Sequence, residues 1–160
     1  TAPVAATPLS KGQTSLNRSP RLIRTATSYN HTSVPATYQF TIQVPEGAQP
    51  LQAVTITQKE NAENIRFDVS ESRAFMGNHV ASGSELSLAS VGGMESSSSK
   101  EVTVVFDQPV SPGNTVTVAL KAKHNPRLDG IYLFGITAFP VGEDSPGLYL
   151  GSTRLNFYSD

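Results

Sequence analysis

The residues best suited to chemistry are three histidines, scattered serines and a few close carboxylates. Their spacing limits what each could do. His31, His79 and His124 lie in three separate loop-like segments. No two stand at the i, i+2 or i, i+4 spacing that preforms a metal site on one element, so solvent-facing imidazoles are expected. With no cysteine in the chain, disulfides and thiolate metal sites are excluded. A serine nucleophile of the elbow type needs Gly-x-Ser-x-Gly with a base and an orienting acid. Gly83-Ser84 and Gly151-Ser152 are the nearest fragments, and neither completes that motif. Triad members can be scattered along a chain, so a hydrolase assembled from loop Ser, His and Asp residues stands as one alternative. Glycosidase chemistry would need two carboxylates held about 5–9.5 Å apart. The close pairs Glu143/Asp144, Asp68/Glu71 and Glu60/Glu63 fall instead in turn-like, polar stretches where acids serve solvation. Asp129, Glu143 and Asp144 would together suit a loop-built calcium site, although no EF-hand spacing is present. A calcium-stabilised adhesion-like domain is therefore the second alternative. Taken together, these residues predict no catalytic site, no cofactor and no metal.

Side chains suited to docking stand out more clearly. Lys121 and Lys123 alternate with Leu120 and Ala122, so they share the outward face of one strand, with Arg127 shortly after. Lysines so placed commonly protect a sheet edge from pairing with another sheet, which is the expected role here. The sharper reading makes Lys121, Lys123 and Arg127 partner-binding residues for an anionic surface: a phospholipid headgroup, an acidic glycan or a protein. Tyr132, Phe134, Phe139, Tyr149, Phe157 and Tyr158 would form a carbohydrate-stacking platform if exposed. A chain without tryptophan needs most of these rings in its core, leaving Tyr149 and Tyr158, near polar neighbours, as the exposed ones.

These groups must be carried by a chain of 160 residues, a length natural to one domain. It is long enough to bury roughly 70% of its unfolded surface. Charged residues make up 16% and the net charge is −1, which argues against a nucleic-acid binder with its strongly basic face. The charge is uneven: Lys11, Arg18, Arg21 and Arg24 precede the first acid, Glu46, whereas acids predominate from Glu60 to Asp107. No apolar run approaches the ~18 residues of a membrane span. The start Thr1-Ala2-Pro3 fits a chain whose signal peptide has been cut away, and equally one trimmed at that point.

Residues 1–19, rich in Ala, Pro, Thr and Ser, predict an extended or flexible arm, with one domain over 20–160. Residues 89–100, with four serines after Gly92-Gly93, predict a flexible surface loop. Elsewhere the period is that of strands. Ala36, Tyr38, Phe40, Ile42 and Val44 alternate with polar residues, as do Ile65/Phe67/Val69, Val102/Val104/Phe106 and Val116/Val118/Leu120. Shorter strands are expected near 22–27, 54–58 and 85–88, and a last one through Leu155 and Phe157. Residues 131–139 are apolar on both faces, which predicts an internal strand covered on both sides. Gly135 in its middle predicts a bulge or a close crossing of another backbone. Ser111-Pro112-Gly113-Asn114 is a type II turn signal, and Asp129-Gly130 and Pro45-Glu46-Gly47 mark further turns. The best helix candidate is one short turn around 60–64. Eight or nine strands without helical crossovers predict an all-β, antiparallel two-sheet sandwich, immunoglobulin-like or related.

Three segments carry a resemblance: Asn125-Pro126; Gly130 to Gly142, reading Gly-Ile-Tyr-Leu-Phe-Gly-Ile-Thr-Ala-Phe-Pro-Val-Gly; and Gly147 on through Leu155-Asn-Phe-Tyr158. With Pro50-Leu-Gln-Ala-Val-Thr-Ile-Thr-Gln-Lys-Glu60, the chain over about 36–158 resembles a cyanobacterial family catalogued as domain of unknown function 2808. The resemblance implies a protein made with a signal peptide and exported to the periplasm, cell envelope or thylakoid lumen. It implies no activity and no functional residue. The expected function is a non-enzymatic exported binding or structural module that docks to a protein, glycan or membrane surface, and fold alone cannot choose among these.

Overall fold

Alternation fixes one internal strand first. In Ala36–Val44 the side chains of Tyr38, Phe40, Ile42 and Val44 are fully buried, while Thr37, Gln39 and Gln43 between them are half-buried. Thr41 is a buried exception, and its hydroxyl meets that of Thr117 at 3.0 Å on the neighbouring strand. Ten strands form in this way in the computed structural model, which describes residues 19–59, 61, 63–77, 84–93, 101–142 and 147–159. They are β1 (Arg21–Thr27), β2 (Ala36–Val44), β3 (Leu51–Gln58), β4 (Phe67–Met76) and β5 (Glu85–Leu86). Then follow β6 (Leu88–Gly93), β7 (Glu101–Val110), β8 (Asn114–Ala122), β9 (Gly130–Pro140) and β10 (Leu148–Phe157).

Two five-stranded sheets result, ordered β10-β9-β3-β7-β6 and β1-β2-β8-β4-β5, with every strand pairing antiparallel. Their facing sides bury one apolar core. Tyr38 lies at its aromatic centre, with ring centroids 5.6 Å from Phe67, 6.0 Å from Phe134 and 5.7 Å from Phe157. The first two are edge-on contacts, which suit the ring quadrupole and add to the area buried, and the third is tilted. The predicted turn at Ser111-Pro112-Gly113-Asn114 joins β7 to β8, with Gly113 at φ +89° where an L-residue is strained. The described residues contain no helix, including those around 61–64, and none long and apolar enough to cross a membrane.

Several expectations are corrected. Residues 88–93 form strand β6, not a loop: backbone pairing with β7 suffices for an edge strand of small residues. Residues 94–100 lie outside the described part, as does the expected arm apart from Ser19. The alternating segment Ile65/Phe67/Val69 becomes a strand only from Phe67 and runs on to Met76. β9 is internal, between β10 and β3, but it is not covered on both sides. Its inward residues Tyr132, Phe134, Ile136 and Ala138 are buried, whereas Ile131 and Leu133 face outward at 57% and 38% exposure.

Candidate functional site

The outward face of β9 is built around Gly135. Gln58, at the end of β3, turns inward, and its amide bonds both the N–H and the C=O of Ile65 (2.8 and 2.6 Å). The next residue, Lys59, therefore points outward, and its N–H donates to the Leu133 carbonyl at 3.0 Å. Its side chain then runs across Gly135. A Cβ added at Gly135 would stand 2.7 Å from Lys59 Cε, 2.9 Å from Nζ and 3.1 Å from Tyr149 Cε1. Gly135 thus seats a side chain, not a crossing backbone. Gly147 likewise accommodates side chains, since a Cβ there would meet Thr137 Cγ2 at 2.6 Å and Phe139 Cε2 at 2.8 Å. The register irregularity of β9 falls one step beyond Gly135, between Ile136 and Thr137.

Lys59 Nζ lies 4.7 Å from the centre of the Tyr149 ring, a cation–π contact. The Tyr149 hydroxyl meets Ser152 Oγ at 2.7 Å. Its pKa is lowered from 10, first by the Ser152 hydrogen bond and then by Lys59, because both favour the phenolate.

Strand register extends this centre into ordered rows. Asn156 stands opposite Ile131, Arg154 opposite Leu133, Ser152 opposite Gly135 and Tyr149 opposite Thr137. On the other flank Thr57 faces Gly135 and Thr55 faces Thr137. Tyr158, two residues past Asn156, is 58% exposed and Tyr149 is 56% exposed. The two rings expected at the surface are there, while Tyr132, Phe134 and Phe157 are in the core. Beyond Thr137 the same face continues into a shallow groove of about 320 Å³ lined by Ala53, Thr55, Thr103, Phe139 and Pro140.

The loops beside this face are tied down by side-chain amides and a carboxylate. Asn125, fully buried, accepts a hydrogen bond from Tyr38 Oη at 2.7 Å and donates to the carbonyls of Tyr29 (3.0 Å) and His31 (2.7 Å). The Asn30–Thr32 turn in turn bonds both backbone groups of Tyr158 and, through Asn30 Nδ2, the Asn156 carbonyl. This seals part of the open edge of β10, a liability that sheet proteins must manage. Asn61 clamps the N–H and C=O of Leu133 at 2.8 and 3.1 Å.

The other candidates do not converge among the described residues. The Nδ1 atoms of His31 and His124 lie 3.0 Å from the Thr32 and Asn125 carbonyls, respectively. His79, Gly83, Glu143 and Asp144 lie outside the described part. Asp129 accepts from Ser159, Asp68 from Ser70, and Glu63 from the backbone N–H groups of Arg127 and Leu128. No group of three His, Asp or Glu among the described residues could hold a metal ion.

Lys121 does not protect an edge. It lies on β8, the middle strand of its sheet, between Thr37 of β2 and Asp68 of β4. Lys123 is exposed just beyond β8, and its N–H donates to the Arg66 carbonyl. Arg127 sits 3.8 Å from Glu63 at the loop leading to β9. The three cations are therefore spread from the face of the second sheet to the end of the sandwich, with acids beside two of them.

Comparison with known proteins agrees with this architecture. Residues 13–157 match the family described as protein of unknown function (DUF2808). The chain belongs to that family. No curated protein matches it. Among solved structures, the collagen-binding subdomain ACE19 of the Enterococcus faecalis surface protein ACE is similar, with a TM-score of 0.51 at 7% identity. It covers 87% of this chain and 99% of that one. BslA, a bacterial hydrophobin, is similar with a TM-score of 0.50 at 13% identity, covering 89% of this chain and 100% of that one. An immunoglobulin-like protein from Nocardia farcinica has a TM-score of 0.46 at 12% identity, covering 83% of this chain and 95% of that one. At these identities the likeness is one of fold.

Sequence reasoning found Tyr149, Tyr158 and Gly135 but missed Lys59, Leu133 and the amide clamps. The signal for Lys59 was its place right after a strand whose last residue faces inward. That parity emerges only once β3 is registered against β9.

Proposed function

We propose that this DUF2808 chain is a non-enzymatic exported binding module that docks to a partner surface in the cell envelope or thylakoid lumen. One observation carries this reading. Tyr158, Ile131, Leu133 and Tyr149 form an exposed apolar stripe along one face of an ordered sheet. Exposed apolar residues scattered singly need no explanation, whereas a rimmed, contiguous row marks an interaction surface. The stripe is rigid, since β9 is hydrogen-bonded on both sides and Tyr149 is held at its hydroxyl and its ring. Rigid aromatic anchors lose little entropy on binding, which favours affinity.

Export is what the family resemblance implies, and the proteins of similar fold, which include a surface-protein subdomain and a hydrophobin, support that reading. Docking is assigned to the β9–β10 face in preference to Lys121, Lys123 and Arg127. Acids stand beside two of those cations, and no large apolar side chain is exposed on β8, which carries Lys121. The test is co-sedimentation of the purified protein with isolated cell-envelope material. Leu133→Ser with Tyr149→Ala should weaken binding at least tenfold while leaving the fold intact. Equal sedimentation of wild type and variant would remove this face from the account.

A further inference from the structure

We infer that the β9–β10 face binds a carboxylated polysaccharide, with sugar rings against Tyr149 and Tyr158 and carboxylates at Lys59 and Arg154. This rests on the docking reading above and names the ligand class of that same face.

Shape comes first. Tyr149 on β10 and Tyr158 just past its end lie nine residues apart, so at most about 30 Å separates them at ordinary strand rise. Between them runs a shallow row and no enclosed cavity, a geometry for a linear chain rather than a small ligand. Each ring is more than half exposed, offering an apolar surface with a polar rim to the C–H face of a sugar. Ser152 and Asn156 share the outward row of β10 with Arg154, beside Gly135 and Ile131 of β9, and supply hydroxyl and amide groups for sugar hydroxyls.

Charge comes second. Arg154 stands opposite Leu133 on one flank, and Lys59 is hydrogen-bonded to Leu133 on the other. The outward rows on β3, β9 and β10 contain no aspartate or glutamate; Glu101 stands opposite Thr57 one strand further away, and Asp129, held by Ser159, lies past the Tyr158 end of the row. An isolated cation on each side of the row matches sparse, regularly spaced carboxylates. A densely charged polymer such as a nucleic acid calls for clustered cations, which this face lacks. A protein partner is disfavoured at the row's centre, because interface cores are depleted of charge and here the Lys59 ammonium lies over Gly135 while Arg154 stands opposite Leu133.

The test is affinity electrophoresis of the folded protein through polygalacturonate, with neutral dextran as the comparison polymer. Wild type should be retarded by polygalacturonate far more than by dextran, and the retardation should weaken with added salt. Lys59→Gln with Arg154→Gln should lower apparent affinity at least tenfold, Tyr149→Ala should do the same, and Lys121→Gln with Lys123→Gln should have little effect. Absence of retardation by polygalacturonate, or retardation indifferent to Lys59, Arg154 and Tyr149, would overturn the assignment. If envelope sedimentation still depends on Leu133 and Tyr149 in that case, the face docks another partner such as a protein. If it does not, the docking reading falls as well.

Discussion

The hydroxyl of Tyr38 donates a 2.7 Å hydrogen bond to Oδ1 of Asn125, joining the aromatic core to the loops that frame the exposed face. Both residues are fully buried. Asn125 spends its two N–H donors on the Tyr29 and His31 carbonyls, so its side chain replaces a missing turn of regular hydrogen bonding. Buried polar groups are costly when left without a partner, and this one is satisfied at every position.

Breaking that bond should be costly. Tyr38→Phe leaves Oδ1 buried and unpaired, and should cost about 1–3 kcal/mol in urea denaturation. Asn125→Ala should cost more, because two loop carbonyls lose their donor as well. The double variant should be less destabilised than the sum, since the two side chains share one bond. Additive losses would show that the two residues act separately.

Alkaline pH should unfold the protein through its buried phenols. Burial, reinforced by the neighbouring Tyr132, holds the Tyr38 hydroxyl far above the ordinary tyrosine range. Burial, then Glu63 and Asp129, raises that of Tyr132. A pKa raised in the folded state gives stability that is complete below the unfolded value near 10 and is lost as pH rises above it. Tyr38 should remove up to about 1.4 kcal/mol per pH unit from there until its own raised pKa is reached, and Tyr132 acts in the same direction. Urea midpoints should be level from pH 8 to pH 10 and then fall. A midpoint unchanged at pH 11 would contradict the burial of these hydroxyls.

Gly135→Ala separates site from stability. Its Cβ would collide with the end of the Lys59 side chain, which can swing away at little cost, and with the edge of the Tyr149 ring. Stability should shift by no more than about 1 kcal/mol, because the lost contacts are partly offset by reduced freedom of the unfolded chain. Tyr149 should lose its cation partner, and its phenol should titrate at higher pH by NMR of the ring. An unchanged Tyr149 titration would mean that Gly135 does not seat Lys59.

Much of this was legible in the sequence. The alternation of Tyr38, Phe40, Ile42 and Val44 specifies a strand with one buried face, and Pro112-Gly113 specifies the turn that follows β7. The run over 131–139 was legible as an internal strand. Its outward exposure was not, because Ile131 and Leu133 look the same in sequence whether covered or bare. Small residues hid β6, since its pairing with β7 is backbone work. Lys121 read as an edge residue because alternation gives a side chain's face and says nothing of the strand's neighbours. The cluster of Lys59, Gly135, Tyr149 and Arg154 joins the end of β3 to the much later pair β9 and β10, so it becomes visible only with the β3–β9–β10 register.

The absence of cysteine permits the most direct test of the docking face. Leu133→Cys and Lys121→Cys, each labelled with a polyethylene glycol maleimide, place one bulky group on the β9–β10 face or on the β8 face of an otherwise unlabelled protein. In co-sedimentation with cell-envelope material, the label at position 133 should abolish binding and the label at position 121 should leave it nearly intact. Binding that survives the label at 133 and is lost with the label at 121 would contradict the account and move the partner surface to Lys121, Lys123 and Arg127.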